Sequence, residues 1–255
     1  MREQQTLDLS STRKIAYHRL NTRGDGAKLP GVMFLGGFKS DMTGNKAVFL
    51  EGWAAEKGRA FVRFDYTGHG VSSGNFLDGC VGDWAGDAAE VLARLTEGPQ
   101  ILVGSSMGGW IACLLARQFP ERLAGLIGIA AAPDFTEDAM WAAFTPEQRR
   151  TVLEQGRIAL PSEYSDDPYV ITRRLIEDGR RQWVLRDPLP VPAPVRLLHG
   201  TADVDVDPSV AIRLLARVDC PDARLALVRG ADHRFSGPRE LELLGATLDE
   251  LSRPA

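Results

Sequence analysis

The run Gln100-Ile101-Leu102-Val103-Gly104-Ser105-Ser106-Met107-Gly108-Gly109-Trp110 joins a branched apolar segment to an apolar helix-like one through Gly-x-Ser-x-Gly. A serine at so abrupt a strand-to-helix turn sits in a strained backbone conformation, and the positions two before and two after it must be small. Gly104 and Gly108 supply that room; choosing Ser105 would put Val103 and Met107 there instead, so Ser106 is the expected nucleophile. The turn would lift its Oγ above the sheet edge and aim the first N–H groups of the following helix, Ile111 to Gln118, at a developing oxyanion. An isolated Gly-x-Ser-x-Gly can be a plain flexible turn, but the strand before it and the helix after it argue against that here.

The rest of the chain shares this rhythm. Short runs rich in branched residues recur at Val32 to Leu35, Ala60 to Phe64, Ile101 to Val103, Leu126 to Ile129, Val195 to Leu198 and Arg224 to Val228. Helix-length segments separate them, such as Trp84 to Leu95, where Trp84, Ala88, Val91, Leu92 and Leu95 fall on one face. Strands alternating with helices predict an α/β fold with a mostly parallel, doubly wound sheet. Gln5 to Leu9 and Lys14 to His18, around Ser10-Ser11-Thr12, predict an antiparallel hairpin at the sheet edge. Between Pro133 and Pro194 the pattern changes to amphipathic helix candidates at Glu137 to Phe144, Pro146 to Gln155 and Asp167 to Arg186 with no strand between them. This reads as a helical cap, 133–194, inserted into a single domain spanning 1–255, with Pro188, Pro190, Pro192 and Pro194 stiffening the return to the sheet.

A serine hydroxyl is a weak nucleophile without a base, and the chain holds only His18, His69, His199 and His233. His18 falls in the edge hairpin. His199 ends a strand in Leu197-Leu198-His199-Gly200, where a structural role is expected, and His69 lies in the glycine-rich loop Asp65-Tyr66-Thr67-Gly68-His69-Gly70 as a pocket or turn residue. His233 follows the last strand and precedes the final helix, where this topology returns a loop to the nucleophile, so it is the expected general base. The acid that orients it should lie between serine and histidine, near the end of the penultimate strand. Asp203 fits best, with Asp205 and Asp207 as alternatives. The alternating aspartates do not make a calcium loop, since Pro208 stands where glycine is needed and Leu214 where a bidentate glutamate is needed.

Two N–H donors are needed for an oxyanion: Met107 supplies one, and Phe38, in Leu35-Gly36-Gly37-Phe38, the other. Met140, Trp141, Phe144 and Ile158 in the cap, with Phe76 and Trp110, are candidates to line an acyl pocket, although such apolar stripes more often face a core.

A net charge of -4, without a long one-signed basic run, argues against nucleic acid as a partner. No apolar run reaches the roughly 18 residues of a membrane span, and the start is polar, so a soluble, cytoplasmic protein is expected. Cys80, Cys113 and Cys220 fit neither a disulfide framework nor a metal or redox motif, and are expected to be reduced structural thiols. No cofactor or metal is expected.

The motifs taken together, Gly36-Gly37-Phe38, Asp65 to Gly70, Gly104 to Gly108, His199 to Asp203 and Asp232-His233, resemble the α/β-hydrolase superfamily from the hairpin to the last helix. More narrowly, Arg63-Phe64-Asp65-Tyr66, Gly98 to Ser106, Gly108-Gly109-Trp110, Arg196 to Gly200 and Asp232-His233-Arg234 look like bacterial relatives of a mitochondrial palmitoyl-protein thioesterase that is also described as an acyl-glucuronide esterase. That resemblance implies hydrolysis of acyl esters or thioesters through an acyl-serine, with Ser106, Asp203 and His233 at the matching positions. The substrate would be a small-molecule acyl compound or an acylated protein. A carbon-carbon bond hydrolase and a catalytically silent ligand-binding protein are the alternatives on the same scaffold.

Overall fold

The structure, a computed structural model, describes residues 4–161 and 168–252. The chain opens with β1 (Gln5–Asp8) and β2 (Lys14–Leu20), continues through β3 (Gly31–Leu35), α1 (Asn45–Glu56), β4 (Phe61–Phe64), α2 (Val81–Leu95), β5 (Gln100–Ser105) and α3 (Met107–Gln118), and reaches β6 (Leu123–Ile129). The inserted segment carries α4 (Pro146–Gln155), β7 (Arg157–Leu160), β8 (Tyr169–Thr172), α5 (Arg173–Gly179) and β9 (Leu189–Pro190). The sheet then resumes with β10 (Val195–Gly200), α6 (Pro208–Arg217), β11 (Val218–Asp219), β12 (Ala223–Val228) and α7 (Pro238–Leu251).

Eight strands form one sheet in the order β1-β2-β4-β3-β5-β6-β10-β12. The expected hairpin, β1 with β2, lies antiparallel at one edge, β2 pairs antiparallel with β4, and every later pairing is parallel. β3, β4 and β5 are buried along their whole length, as strands covered by helices on both faces must be. One core layer packs α2 and α3 on the sheet through residues such as Trp84, Val91, Trp110 and Ile111; the other packs α1 and α7 through Leu50, Trp53, Leu244 and Leu248. Among the described residues no helix is long and apolar enough to cross a membrane. All three cysteines are free, Cys80 and Cys113 buried and Cys220 half-buried.

The inserted segment departs from the all-helical expectation. α4 forms as expected, capped by Thr145, whose side chain accepts from Gln148 N–H while the Gln148 side chain accepts from Thr145 N–H. Thr136–Trp141 is a π-helical turn rather than the start of an α-helix to Phe144. The expected helix Asp167 to Arg186 splits: β8 pairs antiparallel with β7, and only Arg173–Gly179 is α-helical. Asp167 itself lies outside the described residues. The cause is local: Val170, Ile171 and Thr172 are consecutive β-branched residues that favour extended backbone, and the Thr172 side chain then accepts from Leu175 N–H and starts α5.

Candidate active site

β5 ends against α3 with a single residue between them. Ser106 has φ 55 and ψ -118, the left-handed strain that a non-glycine residue adopts only when its surroundings hold it there. They do: Ser106 N–H donates to Ile129 O at 2.9 Å, and Ser106 O accepts from Gly109 N–H at 2.9 Å and Ala132 N–H at 3.1 Å. The flanking glycines are required by close approach. A Cβ on Gly104 would overlap the Gly108 carbonyl, and one on Gly108 would overlap the carbonyls of Leu35 and Gly36.

The structure brings together the three residues expected from the sequence. His233 Nε2 lies 3.1 Å from Ser106 Oγ, and His233 Nδ1 lies 2.9 Å from Asp203 Oδ2. The loop carrying His233 is fixed at both sides: Lys46 Nζ donates to Arg234 O, and Phe235, buried with φ 46, donates its N–H to Asp232 Oδ1 at 3.1 Å. Asp203 is buried at the end of β10, and its Oδ1 accepts the N–H groups of Asp205 at 3.0 Å and Val206 at 2.8 Å. Burial disfavours its charge, but the hydrogen bonds from His199, His233 and Val206 N–H outweigh that and hold the carboxyl well below the usual carboxylate range. Asp203 therefore remains ionised at neutral pH. Asp207, one of the alternatives, instead caps α6 by accepting Ser209 N–H at 2.8 Å.

The other histidines sort differently. His18 sits on β2 in register with Arg63 of β4. His69 is buried among the rings of Tyr66, Phe76 and Trp84, and burial pushes its pKa down to about 4, so it is neutral. His199 is wholly buried at the strand end, and its Nε2 lies 3.1 Å from the Asp203 oxygen that also receives His233. Sequence reasoning had only the i,i+4 spacing to reveal this.

Ser106 and His233 open onto a cavity of about 980 Å³. Phe38, Phe135, Met140, Tyr169 and Val210 give it an apolar wall, and Lys46, Asp138, Arg213 and Arg234 a charged rim. Phe38 anchors that wall, with its ring 4.9 Å from Phe76, 5.5 Å from Phe135 and 5.7 Å from Tyr169. Gly37 brings the Phe38 loop against the nucleophile turn: a Cβ there would stand 3.4 Å from Ser106 Cβ. Met107 is the first residue of α3, directly after Ser106. Of the expected acyl-pocket residues, Met140 lines the cavity. Trp141 packs on Phe144, Phe76 supports Phe38 from behind, and Trp110 is buried with its indole N–H donating to Gln182 O at 2.8 Å. Ile158 belongs to β7, packed against the core. Asp203, Asp205 and His233 bring possible metal-ligand atoms within 4.8 Å of one another, but those of Asp203 and His233 are already bonded to each other and to their neighbours.

A family model described as "Serine aminopeptidase, S33" matches residues 32–240, which contain all of these groups. The chain belongs to this family of α/β-hydrolases. It is 38% identical over 238 residues to the rat protein named "Palmitoyl-protein thioesterase ABHD10, mitochondrial", covering 93% of this chain and 78% of the relative. Two solved structures share the architecture at similar identity. A putative hydrolase from Agrobacterium vitis S4 superposes with a TM-score of 0.92 at 37% identity, and mouse alpha/beta hydrolase domain-containing protein 10 with 0.88 at 36%; each comparison covers 98% of both chains. The chain is thus a hydrolase by family.

Proposed function

We propose that this hydrolase cleaves acyl thioesters or acyl esters through an acyl-serine intermediate, with a long-chain acyl group lying in the cavity beneath the inserted segment. One observation carries the reading: Ser106 Oγ, His233 and the ionised Asp203 form a continuous hydrogen-bonded line that ends at the mouth of an apolar cavity. Ser106 Oγ attacks the acyl carbonyl as His233 Nε2 takes its proton. The carbonyl oxygen becomes an oxyanion facing the N–H groups of Phe38 and Met107, each worth about 3 kcal/mol of transition-state stabilisation. Collapse expels the thiol or alcohol, which leaves with the proton from His233. Water then repeats the cycle on the acyl-serine, releasing the carboxylic acid and restoring Ser106. Asp203 holds the imidazole with Nδ1–H inward and stabilises the imidazolium. The names of the relatives support a thioester, and the aromatic wall at Phe38, Phe135 and Tyr169 suits an acyl chain better than a polar group. Residues 133–194 act in this reading as a cap that closes the acyl site.

Burst kinetics on paired p-nitrophenyl esters and acyl thioesters of increasing chain length, with Ser106→Ala as control, test it. Ser106-dependent turnover that rises with chain length on thioesters supports the reading. Preference for short oxygen esters points to a general carboxylesterase, and no Ser106-dependent turnover on either series overturns it.

A further inference from the structure

One oxygen of Asp203 is shared by two imidazoles. His233 Nδ1 approaches Oδ2 at 2.9 Å from the β12–α7 loop, and His199 Nε2 approaches the same oxygen at 3.1 Å from the end of β10. His199 is wholly buried, whereas His233 faces the cavity. The second neighbour of His199 Nε2 is Val206 O at 2.9 Å. A carboxylate and a carbonyl can only accept, so His199 Nε2 carries hydrogen; it donates to Val206 O and holds Asp203 Oδ2 as a close second neighbour. Its Nδ1 is buried with no hydrogen-bond partner among the described residues, so Nε2 makes all of its polar contacts.

We propose that His199 is a positioning residue for the reaction: by placing its Nε2–H against Asp203 Oδ2 it fixes the carboxylate against His233 and moderates the negative charge that His233 feels. This rests on the reading of Ser106, His233 and Asp203 as the reacting line. The Val206 peptide holds both ends of the arrangement, its N–H on Asp203 Oδ1 and its carbonyl on His199 Nε2. Carboxylate, second histidine and β10–α6 loop thus form one rigid unit beneath the reacting imidazole.

The charges facing His199 are few. Asp203 and Asp207 come from its own loop; His233 lies across Asp203, with Asp205 in the same cluster. β6 carries no ionisable side chain, and the only one on β12, Arg224, is engaged by Asp222 and Glu250. On α6, Arg213 pairs with Asp138, and Arg217 closes the helix at its far end. Burial opposes the charged form of His199, and the hydrogen bonds to Asp203 and Val206 with the two aspartate charges overcome it, raising its pKa above the ordinary value.

The test compares His199→Leu, which removes the donor, with His199→Gln, whose amide can reach the Nε2 position as a neutral donor. His199→Leu is expected to lower kcat about 10- to 100-fold, the worth of a hydrogen bond to a charged group, with KM little changed. With the full Asp203 charge on His233, the acid limb of kcat/KM should move up by about half a pH unit or more. His199→Gln should recover most of kcat and return the limb. In proton spectra, the low-field His233 Nδ1–H resonance should shift in His199→Leu and return in His199→Gln. If His199→Leu does not fold, His199→Asn, whose amide stops short of Asp203, carries the same readouts. An acid limb and a low-field resonance unmoved by loss of the donor overturn the proposal even if stability falls. A Ser106→Ala enzyme that keeps full turnover would instead sink the underlying reading of the site.

Discussion

Asp134 and Val184 lie fifty residues apart in sequence and are joined by a hydrogen bond of 2.9 Å from Val184 N–H to Asp134 Oδ1. The other oxygen of the same carboxylate accepts Leu185 N–H at 3.1 Å, so one buried side chain ties the start of the inserted segment to its end. Asp134 has φ 58, a conformation asparagine also tolerates. Asp134→Asn therefore leaves the backbone at ease but puts an NH2 group opposite one of the two backbone donors and removes the charge facing Arg186. The expected loss is about 1–3 kcal/mol of stability, read from urea unfolding. A variant with unchanged unfolding midpoint would show that the carboxylate does not hold the segment.

The crossing at Gly104 and Gly108 gives a second expectation. A methyl on Gly108 meets two backbone carbonyls, Leu35 O and Gly36 O, which cannot rotate away as a side chain could. Gly108→Ala should thus lower the melting temperature by several degrees and reduce kcat by shifting Ser106, whereas Gly86→Ala, with no atom within 4 Å of the new methyl, should cost nothing and stabilise α2 slightly. Equal effects from the two would argue against close packing at the turn.

These contrasts mark what the sequence could tell. The parallel sheet was legible because Val32 to Leu35 and Ile101 to Val103 are unbroken apolar runs, and a run buried on both faces has no other reading beside Gly-x-Ser-x-Gly. That Ser106, Asp203 and His233 would meet was legible through their order and their places at strand ends. The β7–β8 hairpin was not, because four-residue strands half-buried on a small insertion leave too short a period to separate from helix; the β-branched run at Val170 and the cap at Thr172 were the available signals. The contact between His199 and Asp203 was hidden for another reason: which oxygen of Asp203 the ring meets is a fact of loop closure through Val206.

His69 should control part of the acid sensitivity. Its pKa, pushed down to about 4 by burial, lies below the ordinary value of 6.5, so the folded protein prefers the neutral ring. The unfolded chain binds a proton as pH falls through 6.5, and stability falls until the folded value near 4, with a slope of up to about 1.4 kcal/mol per pH unit. His199 has the opposite sign: its contribution is full below 6.5 and is lost as pH rises through its raised folded value. His69→Phe, which keeps a ring among Tyr66, Phe76 and Trp84, should flatten the stability profile between pH 4 and 6.5 while leaving the alkaline side unchanged. An unaltered acid slope would assign the sensitivity to other groups.

The thiols should respond unequally to alkylation. Burial pushes Cys80 and Cys113 up to about 12, so both remain protonated and shielded in the folded protein. Iodoacetamide at pH 8 is expected to modify Cys220 first and the other two only in denaturant, as peptide mass mapping would show. Rapid native labelling of Cys113 would mean that α3 opens locally.

The strongest contrast concerns two aspartates four residues apart. Asp203→Asn keeps an oxygen for the N–H groups of Asp205 and Val206, so the loop should fold. The amide then presents N–H where His233 Nδ1–H needs an acceptor, which favours the wrong tautomer for taking a proton from Ser106. The expected loss in kcat is about three to four orders of magnitude, and the melting temperature should fall as well, because the amide N–H also faces the buried His199 Nε2. Asp207→Ala removes the cap on Ser209 N–H, with a small expected fall in melting temperature and near-normal kcat. Turnover separates the two positions: it is expected to collapse in Asp203→Asn and to stay near normal in Asp207→Ala. Near-normal kcat in Asp203→Asn would remove Asp203 from the reacting line, and with it the ground for reading the His199 contact as part of catalysis.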